Sequence, residues 1–238
     1  MLLSIIIVTY NANGHIEACL SKLYENYSED FEVIMLDGGS TDDTVKTASK
    51  YIKAPNIIIS EKDRGIYDAM NKAIRVATGD FLYFLGADDI WTLPPYEVKA
   101  ILKEHDTIYY GNVAIKEKPG KIYGTRFWKY SIINRNICHQ AIFYPRQVFK
   151  DHSYELKYEL LADYVLNLKL WSDKKFKFQY IDKVFATYSI HGASSAKIDT
   201  NFRKDIVGII YKNYGLPGLM MKAFNPLVNI FRKRLYEY

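Results

Sequence analysis

Four short apolar runs, the first and third rich in β-branched residues, recur within the first half of the chain, and each ends in a cluster of polar side chains. They occupy residues 4–9, 32–36, 57–60 and 81–85. Apolar runs without alternation are buried on both faces, as strands are in a parallel sheet covered by helices. The segments between them keep helical spacing: Ile16, Leu20, Leu23 and Tyr27 after the first run, and Ile66, Met70, Ala73, Ile74 and Ala77 after the third. This alternation predicts an α/β fold built on a mostly parallel sheet. Residues 42–52 read as a further helix with Ser40 or Thr41 as its cap. Gly79 stands where a left-handed helix stop belongs, and Pro94-Pro95 opens a helix running to about Glu104.

After Asp106 the pattern changes. Residues 108–115 and 121–126 read as antiparallel strands around a Pro119-Gly120 turn, and 141–144 and 184–189 as further strands. Residues 160–171 and 202–214 read as helices. In the tail, Leu216, Leu219, Met220, Ala223, Leu227 and Phe231 recur at helical intervals, interrupted by Asn225-Pro226. That pair fits an N-cap and a first-turn proline, so two short amphipathic helices are expected there.

A chain of 238 residues, 49% hydrophobic and 25% charged, can bury the core of one soluble domain, or of one domain with a small appendage, without disulfides. Cys19 and Cys138 lack metal-ligand spacing, which fits a reducing cytosol and argues against a zinc site. The N-terminal apolar run has no basic flank or cleavage signature, and no apolar stretch reaches the ~18 residues of a membrane span. The net charge is +5, and from Lys212 onward five basic residues face one acid, Glu237. Local basic decoration is expected, not a nucleic-acid-binding face.

Ligands of open α/β sheets bind beyond the carboxyl ends of the strands. Those ends carry Thr9-Tyr10-Asn11, Asp37-Gly38-Gly39-Ser40, Glu61-Lys62-Asp63-Arg64 and Gly86-Ala87-Asp88-Asp89. A dinucleotide-dependent dehydrogenase would need GxGxxG after the first strand, and a sugar nucleotidyltransferase a Gly-rich loop with Arg. Asn11-Ala12-Asn13-Gly14-His15 is neither.

In this order the segments SIIIVTYNA, VIMLDGGSTDDT, SEKDRGIYDAMNKAI, ATGD and GADD resemble the nucleotide-binding half of family-2 glycosyltransferases of GT-A fold. The resemblance is strong over residues 3–92 and weaker over 136–195. Within that family the chain is similar to small bacterial enzymes of surface-polysaccharide assembly. The resemblance divides it into a catalytic domain, 1–214, and basic amphipathic helices, 215–238; within the domain, 1–105 would bind nucleotide and 106–214 the acceptor. It implies a nucleoside-diphosphate sugar donor (a UDP-sugar favoured), a glycan or lipid-linked oligosaccharide acceptor, Mn2+ or Mg2+, and inversion at the anomeric carbon. Thr9, Tyr10, Asn11, Asp37, Asp63, Arg64, Ala87 and Asp88 would bind the nucleotide sugar. Asp88 matches the last acid of the D-x-D motif, with Gly86 where the first often stands. Asp88 and His191, which precedes a Gly/Ser loop, would hold the metal. His139 and Gln140 would face the acceptor or the diphosphate. Asp163 would take the acceptor hydroxyl's proton, ahead of Glu159 and Asp151 as candidates.

Plainer explanations stay open at this point: an Asx-turn for Asp37, N-caps for Asp89 and Asp163, a solvated charge for Arg64, a satisfied core histidine for His139. The missing first acid also leaves open a silent relative that binds a nucleotide sugar or carbohydrate as a scaffold. The expected location is the cytoplasm. The tail, 216–238, would lie on the inner face of the cytoplasmic membrane, or pack on protein, a homodimer partner included.

Overall fold

The four apolar runs lie side by side in one nine-stranded sheet. In a computed structural model describing residues 2–189 and 198–235, the chain begins β1 (Leu3–Thr9), α1 (Asn13–Glu25), β2 (Phe31–Asp37), α2 (Thr44–Ala48) and β3 (Ile57–Ser60). It continues α3 (Ile66–Val76), β4 (Phe81–Gly86), β5 (Ile90–Trp91), α4 (Pro95–Ile101), β6 (Thr107–Ile115) and β7 (Ile122–Tyr123). Then come β8 (Ile142–Pro145), α5 (Val148–Asp151), α6 (Ala162–Asp173), β9 (Lys177–Tyr188) and α7 (Thr200–Leu235). Strand order is β3-β2-β1-β4-β8-β6-β9-β5, with β7 beside β6. The first four of these are mutually parallel, and β8 runs antiparallel to β4 and β6.

Register sets the place of the polar strand ends. Thr9 lies opposite Asp37, Asp37 opposite Ser60, and Val8 opposite Gly86. The polar clusters therefore line one continuous edge. Alternate residues of β1 feed opposite faces: Ile5 and Ile7 pack with Ile16, Leu20 and Val98 of α1 and α4, while Ile6 packs with Met70, Val165 and Ile210 of α3, α6 and α7. Each such fully buried side chain contributes about 1.5–3 kcal/mol.

Several expectations are corrected. The helix expected over 42–52 is only Thr44–Ala48, because Ser40 and Thr41 are engaged elsewhere and Asp42 accepts the Thr44 amide at 3.0 Å. Of the strand expected over 121–126, only Ile122–Tyr123 pairs. The last core strand is longer than expected, since its polar half, from Lys177, also pairs with β6. In the tail the break falls at Gly215 (φ 63°), and the helix runs on across Asn225-Pro226. Among the described residues no helix is long and apolar enough to cross a membrane.

Gly79 is not a left-handed stop: α3 ends with Ala77 extended, at ψ 132°. Glycine is needed there for close approach, since a Cβ would stand 2.5 Å from the Ser4 amide nitrogen and 2.8 Å from the Leu3 carbonyl carbon. Neither backbone atom can yield within a central strand. Gly79→Ala should destabilise the protein by about 2–3 kcal/mol, lowering Tm by roughly 5–10 °C in a chain of this size. A thermal melt within a degree of wild type would contradict this packing. Beside Gly79, Glu32 is a buried carboxylate that accepts hydrogen bonds from Ser4 (2.6 Å), the Thr78 amide (2.6 Å) and hydroxyl (3.0 Å) and the Gly79 amide (3.0 Å). It closes the amino end of the sheet, opposite the polar edge.

Candidate active site

The polar edge is organised around Asp37. Its carboxylate is 1% exposed and accepts from Thr9 (3.2 Å), Ser60 (2.6 Å), the Gly39 and Ser40 amides (3.1 and 2.9 Å) and the Ser40 hydroxyl. Burial alone would raise its pKa; the donors of Ser40, Ser60 and Thr9 outweigh burial and hold it below the usual carboxylate range. Asn11, at φ 48°, accepts the Thr41 amide at 2.9 Å and donates its own amide to Ser40 at 2.8 Å. These bonds lace the loop after β1 to the loop after β2. Tyr10, between Thr9 and Asn11, is 65% exposed. Asp63 folds back onto the Gly65 amide at 2.8 Å, beside Gly38. Arg64 pairs with the buried Asp68 at 3.0 Å, and Lys72 with Glu61 at 2.8 Å.

At the end of β4 the two acids part company. Asp89 is 1% exposed and accepts from the Gly86 amide (3.0 Å), Gln140 Nε2 (2.6 Å) and the Ser189 amide (3.1 Å). It does not cap a helix; the two-residue strand β5 comes directly after it. Burial pushes its pKa up, with the neighbouring Asp88 charge adding to it against the Gln140 hydrogen bond. A Cβ at position 86 would meet Asp89 Oδ2 at 2.4 Å, so the place of a side chain there is taken by Asp89. Asp88 is half-buried, and its carboxylate makes no hydrogen bond among the described residues. Ala87 lies between Gly86 and Asp88, half-buried like them. Gln140 is fixed from two sides, donating to Asp89 and accepting from the Cys138 thiol at 2.8 Å, while His139 beside it stays half-buried.

Asp163 opens α6 at 5% exposure. Tyr67 donates to its Oδ1 at 2.8 Å, and Asn136 Nδ2 to its Oδ2 at 2.8 Å. Behind them Asn167 donates to Asn136 (3.1 Å) and accepts from Tyr144 (2.7 Å). Asn71 clamps the Tyr154 backbone with two bonds, 2.9 and 3.0 Å, and the Tyr67 and Tyr154 rings lie 5.1 Å apart. Tyr67 thus ties the helix leaving β3 to the first turn of α6. Burial, and next the Asp163 charge, push the Tyr67 hydroxyl well above its ordinary pKa, so it remains a donor. The Cys138 thiol is pushed up by burial and, further, by the charges of Asp89 and Asp163. Asp151 is not part of this group; it pairs with Lys175 at the surface, and Glu159 is exposed.

Residues 4–156 match the family described as Glycosyl transferase family 2. The chain belongs to this family. The PGL/p-HBAD biosynthesis glycosyltransferase of Mycobacterium bovis is 38% identical over 216 residues, covering 84% of this glycosyltransferase and 82% of that protein. Chondroitin synthase of Escherichia coli is 27% identical, and this chain spans 36% of its length. Among solved structures, S. aureus TarS 1–349 in complex with UDP-GlcNAc superposes with a TM-score of 0.70 at 20% identity, over 90% of this chain and 68% of that one. The chain covers 40% of the longer TarS structure. Mannosyltransferase PcManGT from Pyrobaculum calidifontis, in complex with GDP-Man and Mn2+, superposes with a TM-score of 0.66 at 17% identity, over 93% of this chain and 69% of that one. The fold is GT-A.

The strand-end residues Thr9, Tyr10, Asn11, Asp37, Asp63, Arg64 and Asp88 of this glycosyltransferase lie along one sheet edge, and Gln140 joins them through Asp89. His191 lies outside the described residues. The chain leaves them at Ser189, bonded to Asp89, and re-enters before Asp199, which accepts the Leu160 and Leu161 amides at 3.0 and 3.2 Å. Sequence reasoning missed Asn136 and Asp199; neither sits in a motif, and only the fold brings Asn136 to Asp163 and Asp199 to the Leu160 and Leu161 amides just before it. Two buried carboxylates, Glu32 and Asp37, have folded pKa values depressed by hydrogen bonds that outweigh their burial. Their contribution to stability is full above the unfolded pKa of about 4 and is lost as pH falls through the folded values. The urea midpoint should therefore drop as pH is lowered from about 5 toward 3, and Glu32→Gln should flatten that drop. An unchanged midpoint across the window would contradict the assignment.

Proposed function

We propose that this glycosyltransferase moves a hexosyl group from a nucleoside-diphosphate donor, a UDP-sugar favoured, to an acceptor hydroxyl with inversion, in assembly of a cell-surface polysaccharide or glycolipid. Solved neighbours hold UDP-GlcNAc or GDP-Man, and the mycobacterial relative is named for PGL/p-HBAD biosynthesis, which supports the donor and product classes. One observation carries the reading: Asp163 is fastened by Tyr67 to the helix that leaves the nucleotide edge. An acceptor hydroxyl has a pKa far above 7, so attack needs a positioned base, and Asp163 supplies it. Asp37 orders the loops that face the nucleotide, with Thr9, Asn11 and Ser40 as its partners. Asp63, Arg64 and Tyr10 line the same edge, and His139 flanks the Asp88 turn.

Neighbours also carry Mn2+ or Mg2+. Among the described residues no group of three or more His, Cys, Asp or Glu could cage an ion. Asp88 fits a different arrangement: a single hard carboxylate beside an ion otherwise held by diphosphate and water. A divalent ion bound there would neutralise charge on the departing nucleoside diphosphate.

Gly86, in place of the first acid of the motif, favours a second reading, a nucleotide-sugar-binding scaffold without turnover. Incubation with Mn2+ and a panel of nucleotide sugars separates the two. The enzyme reading expects slow donor hydrolysis and, with acceptor, a product of opposite anomeric configuration by NMR. Binding without either sinks it.

A further inference from the structure

Two long stretches, 118–150 and 206–236, contain no Asp or Glu, yet hold twelve of the 32 basic residues. The fold joins them where residues 133–134 meet 221–222. The loop carrying Trp128 and Lys129 is sewn to α7: Asn134 Nδ2 donates to the Met221 carbonyl at 3.4 Å, and Lys222 Nζ to the Ile133 carbonyl at 3.3 Å. On this face large apolar side chains stand in solvent. Leu216 and Met220, one helical turn apart, are 66% and 58% exposed, and Trp128 is 57% exposed. Tyr130 holds the Trp128 ring edge-on at 5.6 Å, and Lys129 lies over Tyr130 at 5.1 Å. Lys222 is half-buried with no carboxylate partner among the described residues, and burial lowers its pKa.

We propose that the face formed by Trp128, Lys129, Leu216, Met220 and Lys222 seats this protein on an anionic lipid surface. Exposed aliphatic and indole groups beside cations match the two layers of a bilayer interface, apolar beneath and anionic above. A second copy fits worse. A two-fold contact sets the same patch against itself, and an acid-free patch would meet only its own charge. Nucleic acid would engage the cations but leave Leu216 and Met220 in water.

The face also lies next to the chemistry. Asn134, bonded to α7, is two residues from Asn136, bonded to Asp163, so ~7 Å of extended chain spans both anchors. If the proposed glycosyl transfer holds, on which this step rests, a hydroxyl presented at the lipid surface is delivered beside Asp163.

The test is co-sedimentation of the full chain with vesicles of phosphatidylcholine, with and without phosphatidylglycerol. The anionic vesicles should bind at least about tenfold more protein, and salt near 1 M, where screening falls to about 3 Å, should release it. The double variant Leu216→Glu, Met220→Glu should lose about tenfold in partitioning while keeping wild-type Tm and donor hydrolysis. Equal binding to both vesicles overturns the proposal, as does undiminished binding by the variant. A wild-type dimer in sedimentation that the variant dissolves overturns it too, in favour of a protein interface. Vesicle binding without donor hydrolysis upholds this surface and removes only the reaction.

Discussion

Asp163→Asn should lower turnover by about 10²–10⁴, the range for loss of a general base, and leave donor affinity nearly unchanged. The replacement is isosteric, so the Tyr67 hydroxyl, 2.8 Å from Oδ1, keeps an acceptor. Asn136 loses its acceptor or forces a flip, because two amide NH2 groups cannot bond each other. The stability change should therefore be near one lost hydrogen bond, about 1 kcal/mol, visible as a small drop in Tm. Tyr67→Phe removes the positioning contact together with the hydroxyl's approach to the Leu160 carbonyl, 2.9 Å away; kcat should fall by about tenfold, as expected for one charge-assisted bond, with the donor KM held. Combined with Asp163→Asn, Tyr67→Phe should add almost nothing, because both act through one carboxylate. Full additivity of the two losses, or an Asp163→Asn protein with more than half of wild-type turnover, would remove Asp163 from the mechanism.

How far this site is readable in the sequence depends on how local its causes are. The strands and α3 announce themselves, because burial on two faces or one imprints an uninterrupted run or a 3.6-residue period. Asp37 is legible because a polar residue ending such a run must lie at the ligand edge. Its companion Ser60 is in view only as a strand end; register, not composition, brings it within 2.6 Å. Asn136 is invisible. It lies in an irregular segment, and its role comes from Asp163, 27 positions onward. Gly79 shows the opposite error: a glycine after a helix reads as a stop, whereas the constraint comes from Ser4 across the sheet. The net charge points to the basic tail alone. The acid-free run at 118–150 is hidden because acids elsewhere cancel it in the sum, and folding is what sets it beside the tail.

The second large effect concerns the paired acids after β4, which the geometry predicts to fail in different ways. Asp88→Ala should cost about 10²–10³ in kcat, the range for losing one electrostatic stabiliser of developing charge, and should weaken dependence on added Mn2+. Tm should hold, since the Asp88 carboxylate is part-exposed and makes no hydrogen bond among the described residues. Asp89→Ala should act first on the fold. It leaves the Gly86 amide, the Gln140 amide and the Ser189 amide without their acceptor, each buried loss costing about 1–3 kcal/mol. Asp89→Asn is the sharper probe, because it retains volume and one acceptor but cannot serve all three donors. Activity measured per folded molecule should then fall much less than in Asp88→Ala. The reverse pattern, with Asp88→Ala stable and fully active and Asp89→Asn stable but dead, would transfer the diphosphate-facing role to Asp89. It would also mean that the carboxylate filling the space beside Gly86 leaves its three donors when substrate binds.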